Sequence, residues 1–233
     1  MSYQLSIEPT RPADIPPEGT ILALGREVLE STKSWKAGKT YAKGTVQTLS
    51  RAKRSGDGAA WHSRLSKHTK EDATFDEFWS KLGINKAENE KEFISAIKKV
   101  TLVKRISDTQ SIWTMYYTFP PPVSPRVFTV LQTIHLDESS PRTGMVVSIP
   151  VDLSGLGDEE LANLEEKGTK GRYVSVERLV ELEDGKVEWQ MATSSTPGGS
   201  IPSFIAESSM AGQISADVPH FLKWFHTVRN QGT

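Results

Sequence analysis

The residues whose types could carry chemistry are five histidines, two small sets of basic residues and a few polar side chains inside apolar strands. His62, His68, His135, His220 and His226 show no H-E-x-x-H or other metal-ligand spacing, and His220 and His226 stand six apart. The chain has no cysteine, so disulfides, thiolate zinc sites and cysteine nucleophiles are excluded, and neither a metal site nor a cofactor is expected. No G-x-S-x-G elbow or P-loop occurs, and Gly155-Leu156-Gly157 lacks the third glycine of a dinucleotide fingerprint. Acid–base chemistry would have to come from His62, Arg64, Tyr117, Glu177, Arg178 or Glu188, and no spacing pairs them.

Polar residues interrupt apolar strand faces at two places. Gln132 lies among Phe128, Val130, Ile134 and Leu136, and Arg178 among Val174, Val176, Val180 and Leu182. A buried guanidinium without a partner is costly, so Arg178 should meet a carboxylate across the sheet, reach a ligand or face solvent. His62 and Arg64 alternate with Trp61, Ser63 and Leu65 and read mainly as surface residues opposite the tryptophan. Arg51, Lys53 and Arg54 lie beside a turn without interleaved aromatics, which reads as solvated surface. With 28 basic and 29 acidic residues, no net field favours nucleic acid, and no nucleic-acid partner is expected.

These residues need elements to position them. The chain of 233 residues, 36% of them hydrophobic, should form one core, with residues 1–17 a loose arm and 18–229 the domain. Apolar spacing from Ile21 to Leu29 predicts a helix starting near Glu18, and period-two patterns between Thr40 and His68 predict two strands. Thr74 before Phe75, Phe78, Trp79 and Leu82, and Asn89 before Phe93, Ile94 and Ile97, predict two short capped helices. Strands follow at about 99–107, 110–119, 125–136, 143–151, 172–183 and 186–195, mostly as an antiparallel meander. The loop Asp152–Gly171 carries Leu156, Leu161 and Leu164 at the spacing of a short helix, a lid or a plain connection.

A long amphipathic helix closes the chain, from near Pro202 to about Val228. Its inward stripe, including Phe204, Ser208, Ala211, Gly212, Ser215 and Phe225, is large at both ends and small in the middle. Small residues there either leave space beneath a curved sheet or let the helix approach it closely. Asp217 and Pro219 predict a kink or break near 216–219. The order of elements suits an α+β fold in which one antiparallel sheet grips a helix.

Two stretches carry a resemblance. PPPVSPRVFTVLQ at 120–132 resembles the P-x-x-x-x-P-R-D-F strand start of StAR-related lipid transfer (START) domains. PGGSIPSFIAESSMAGQI from 197 resembles the glycine-rich approach to their C-terminal helix. WHSRLSKH at 61–68, YVSVERLVEL at 173–182 and DVPHFLKWF at 217–225 also look like a START-like group known mainly from fungi. The resemblance covers about residues 20–228 and implies a START-like helix-grip fold with an internal hydrophobic cavity. By that alignment Glu177 resembles a glutamate following the long lid loop. Gln132 stands where steroidogenic members carry an arginine, and Val127 replaces the usual aspartate, so sterol specificity is not inherited.

What the resemblance implies is a carrier, transfer protein or sensor for a hydrophobic small molecule or lipid. Its cavity would be lined by Trp113, Tyr117, Phe128, Gln132, Glu177, Arg178, Trp189, Met191, Phe204, Ser208, Ala211, Gly212 and Ser215. Analogy to other helix-grip proteins leaves an enzyme, a cyclase or dehydratase acting on a polyketide-like substrate, as the alternative. An interaction module is expected if Trp113, Tyr117, Trp189 and Met191 fill the concavity. The absence of an apolar leader, of an N-x-[ST] sequon and of cysteine suits the cytoplasm, with membrane contact transient and peripheral.

Overall fold

Local signals account for most helix boundaries. In the computed structural model, which describes residues 3–155, 157–199, 201 and 203–229 without the side chains of 203–205, helix α1 spans Glu18–Ser31. It turns Ile21, Leu22 and Leu29 onto the sheet, and Gly25 lets it approach closely, since a Cβ there would come within 2.9 Å of Val147. Helix α2, Phe75–Leu82, starts with a capping box: Thr74 Oγ1 accepts from Glu77 N–H and Glu77 Oε2 accepts from Thr74 N–H. Helix α3, Lys86–Phe93, starts at Asn85 in the left-handed region, not at the expected Asn89, which lies inside it; Ile97 already belongs to a strand.

Ten strands make one sheet: β1 (Lys36–Tyr41), β2 (Val46–Arg51), β3 (Trp61–His68), β4 (Ile97–Arg105), β5 (Gln110–Tyr117), β6 (Arg126–Asp137), β7 (Thr143–Pro150), β8 (Thr169–Lys170), β9 (Arg172–Glu181) and β10 (Val187–Thr196). Their order is β1-β2-β3-β10-β9-β7-β6-β5-β4, antiparallel throughout, with β8 added in parallel to the start of β6. Three strands, not two, occupy the region before residue 68. Among the described residues of the long loop, only Glu159–Ala162 forms a helical turn, α4. Helix α5, Ser203–Arg229, runs through Pro219 without the expected break.

The period-two backbone divides the side chains between two faces. The outer face packs Trp61, Ile112, Leu131, Met145, Val147, Val174, Val176 and Ala192 under α1. The first segment is not loose, because Leu5 and Ile7 are buried in this cluster and Thr10 bridges to Val151. The inner face is covered by α2, α3 and α5, whose Phe75, Phe78, Trp79, Phe93, Val218, Phe221 and Phe225 pack against Trp189, Val187 and Leu179. The protein therefore has the α+β helix-grip fold. No described helix is long and apolar enough to cross a membrane.

Candidate functional site

The site is built on the inner face, where register places complementary charges on neighbouring strands. Met191 of β10 is paired with Arg64 of β3 on one side and Glu177 of β9 on the other, so all three share a face. Arg64 and Glu177 reach past Met191 to each other: Arg64 Nη2 donates to Glu177 Oε1 at 3.0 Å. Trp189 Nε1 donates to the same oxygen at 2.7 Å. The Arg64 guanidinium lies 4.1 Å from the centre of the Trp189 ring. Lys86, at the start of α3, ion-pairs with Glu177 Oε2 and, at 2.7 Å, with Glu90 one turn along.

Burial sets the electrostatics of this network. It would by itself raise Glu177, but Lys86, Arg64 and the Trp189 hydrogen bond outweigh it and hold the carboxyl below its ordinary value. Burial likewise opposes the charge on Lys86, which Glu177 and Glu90 nonetheless hold above its usual range. Glu90 is pushed up by burial and by Glu177, against the pull of Lys86. On α5, one turn from Ile214 and Phe221, burial pushes Asp217 up to about 7; Arg64 lowers it, while Glu90 and Glu177 raise it further.

Away from this network the inner face is aromatic and less tightly covered. Tyr117, Phe128 and Tyr173 run across β5, β6 and β9, with ring centres 5.2 Å and 5.7 Å apart, and Phe119 stacks outside Tyr117 at 6.2 Å. Burial raises the Tyr117 and Tyr173 hydroxyls well above their ordinary values. Tyr117, Tyr173 and Asp217 sit deep among protein atoms, and yet each keeps part of its surface uncovered. Gln132 is 4% exposed and its Nε2 has no hydrogen-bond partner. With Trp113, Ile134, Asn85 and Lys86 it lines a recess of about 120 Å³ between β5, β6 and the α2–α3 turn.

The expected site residues are thus partly brought together. Trp113, Tyr117, Phe128, Gln132, Glu177, Trp189 and Met191 share the inner face. Trp189 is packed among Phe78, His68 and Phe221. Arg178 is the exception, because it points to the outer face, where Nη2 donates to Gln190 Oε1 at 2.9 Å and lies 3.6 Å from Glu188. On α5, Ser215 is buried, Ala211 and Gly212 are half-buried and Ser208 is exposed; Gly212 faces Tyr41. The Phe204 side chain lies outside the described residues.

Sequence reasoning missed Lys86 and Glu90, and it placed Asp217 only at a kink of the last helix. Arg64, expected at the surface, is 1% exposed. Arg51, also expected at the surface, grips the buried Asp57 through two hydrogen bonds of 2.7 and 3.2 Å. Among the described residues no group of three or more His, Asp and Glu is arranged to hold a metal ion.

A sheet gripping a C-terminal helix has counterparts of known structure. Human STARD10 superposes with a TM-score of 0.73 at 11% identity, over 93% of this chain and 82% of that one. Human StAR-related lipid transfer protein 5 gives 0.70 at 13% identity, over 91% and 100%. The StAR-related lipid transfer protein (fragment 25–204) of Xanthomonas axonopodis gives 0.63 at 16%, over 82% and 98%. At these identities the likeness establishes the START fold. Residues 61–225 match the family described as "Protein of unknown function (DUF3074)", and the chain belongs to that family. No curated protein sequence matches it.

Proposed function

We propose that the protein binds a hydrophobic small molecule or lipid between the sheet and α5, as a carrier or sensor in a reducing compartment such as the cytoplasm. The observation that carries the reading is the incomplete cover of Tyr117, Tyr173 and Asp217 deep inside the molecule. Interiors are normally close-packed, so uncovered surface on deep side chains supports internal space beside them. Half-buried Phe128 and Met191 on the same face offer that space apolar walls. The lipid transfer named for the human and Xanthomonas proteins accords with this use of the fold. In this reading the Arg64–Glu177–Lys86 network orders the interior, and the ligand lies against the aromatic half.

The test is uptake of a fluorescent acyl probe by wild type and by Ala211→Trp, whose indole would project from the half-buried face of α5. Uptake by wild type and loss in the folded variant support the reading, and equal uptake by both removes this face of α5 from the ligand site.

One observation favours the alternative of an enzyme acting on a polyketide-like substrate in the same place. Asp217, pushed by burial up to about 7, shares the interior with Tyr117 and Tyr173, and a carboxyl titrating there can give or take a proton. Asp217→Asn separates the readings, since it should abolish turnover in an enzyme and leave ligand uptake intact in a carrier.

A further inference from the structure

Arg126 opens β6 opposite Tyr117, on the same face of the strand as Phe128. It is 3% exposed. The other buried lysine and arginine among the described residues each face an acid: Arg64 meets Glu177, and Lys86 meets Glu177 and Glu90. Among the described residues no carboxylate lies within ion-pairing distance of Arg126. Its hydrogen bonds run from Nη1 to the Ser124 carbonyl and hydroxyl, at 2.5 and 2.6 Å, and to the Pro125 carbonyl at 3.4 Å. Nε is buried and has no partner. Carbonyl dipoles hold one edge of the guanidinium without neutralising its charge, an arrangement that is costly unless an anion completes it.

Three segments meet around the remaining edge. Ser124 Oγ and Thr169 Oγ1 lie 3.4 Å apart. Gly198 and Gly199, on the way to α5, both have φ +65°. A Cβ at Gly199 would stand 3.7 Å from Arg126 Nη2 and 3.1 Å from Thr169 Cγ2, so this glycine lies beside the guanidinium and puts no side chain of its own against it. Two hydroxyls beside a planar fork of N–H donors match the oxygens of a phosphate or carboxylate.

We propose that Arg126, with the hydroxyls of Ser124 and Thr169, binds a phosphate or carboxylate carried as the head of the apolar ligand. The position supports that geometry: Arg126 is at the strand end, and Phe128, Tyr117 and Tyr173 continue from it along the inner face. The head is held beside the α5 approach loop and the tail lies on the aromatics. The inference rests on the proposed binding of an apolar ligand.

The experiment is isothermal titration of decyl phosphate, decanol and inorganic phosphate into wild type, Arg126→Gln, Arg126→Lys and Thr169→Val, with circular dichroism reporting the fold. Wild type is expected to bind decyl phosphate at least about tenfold more tightly than decanol. That preference should vanish in Arg126→Gln and shrink in Arg126→Lys and Thr169→Val, with decanol binding unchanged. Inorganic phosphate binding as tightly as decyl phosphate, and lost with Arg126, supports the anion site and assigns it to a free anion. Equal affinity for the two decyl compounds in wild type overturns the proposal. So does a preference that survives Arg126→Gln or, if that variant does not fold, survives both milder ones. Arg126-dependent binding of phosphate with no binding of either decyl compound overturns the apolar-ligand reading and leaves Arg126 as a site for a free anion; no binding of any probe overturns the anion site as well.

Discussion

Glu177 Oε1 accepts hydrogen bonds from Arg64 Nη2 and Trp189 Nε1, and the same guanidinium lies over the Trp189 ring. One carboxylate thus fixes an arginine from β3, an indole from β10 and, through its other oxygen, a lysine from α3. Pairs buried this deeply bring little net stability, because desolvation offsets attraction, but they are costly to break from one side. The network therefore acts as a registration pin between the sheet and the helical layer.

Replacing Glu177 by Gln leaves Arg64 unpaired and Lys86 with Glu90 alone. Urea denaturation should show a loss of about 3–5 kcal/mol. The double variant Arg64→Met with Glu177→Gln should be less destabilised than the sum of the single changes. Additive losses would mean that the two side chains do not act together.

Asp217 makes a pH prediction of definite sign. Its folded value of about 7 lies above the ordinary 3.8, so the folded protein holds a proton that the unfolded chain has released. Stability should accordingly fall as pH rises from about 4 to about 7. His62 and His68, pushed down by burial, act in the opposite sense as pH rises toward 6.5, so the informative quantity is wild type minus Asp217→Asn. The variant should lose the downward contribution, and parallel curves for the two proteins would contradict the assignment.

At Gly212 the structure separates packing from space. Among the described residues an added Cβ would meet only Tyr41, at an ordinary 3.8 Å, and glycine inside a helix costs up to about 1 kcal/mol relative to alanine. Gly212→Ala should raise the melting temperature, whereas a lowered value would show that α5 needs closer contact there.

Legibility in the sequence followed how local each signal is. Thr74 and Glu77 mark the start of α2 because the capping box lies within four residues, and the alternation from 126 to 137 marks a strand covered on both faces. The edge strand β1, Lys36–Tyr41, was not visible because it is largely exposed and has no apolar alternation. Arg64 was misplaced because WHSRLSKH carries polar residues on both parities, so only pairing with β10 shows which face is inside. Lys86 and Glu90 lie on a helix polar nearly all round, and their burial depends on Glu177, far along the chain. The expected cavity set names both Glu177 and Arg178, with solvent left open for Arg178, yet adjacent strand residues face opposite ways, and register decides between them.

The central claim is that the interior beside Tyr117, Phe128 and Tyr173 holds an apolar molecule. Native mass spectrometry of the purified protein, followed by denaturing extraction, tests it most directly. The account predicts a stoichiometric adduct that is released on denaturation and identified as a lipid or other hydrophobic compound. A protein that flies at its bare chain mass, and that also takes up nothing from a panel of lipids, would contradict it.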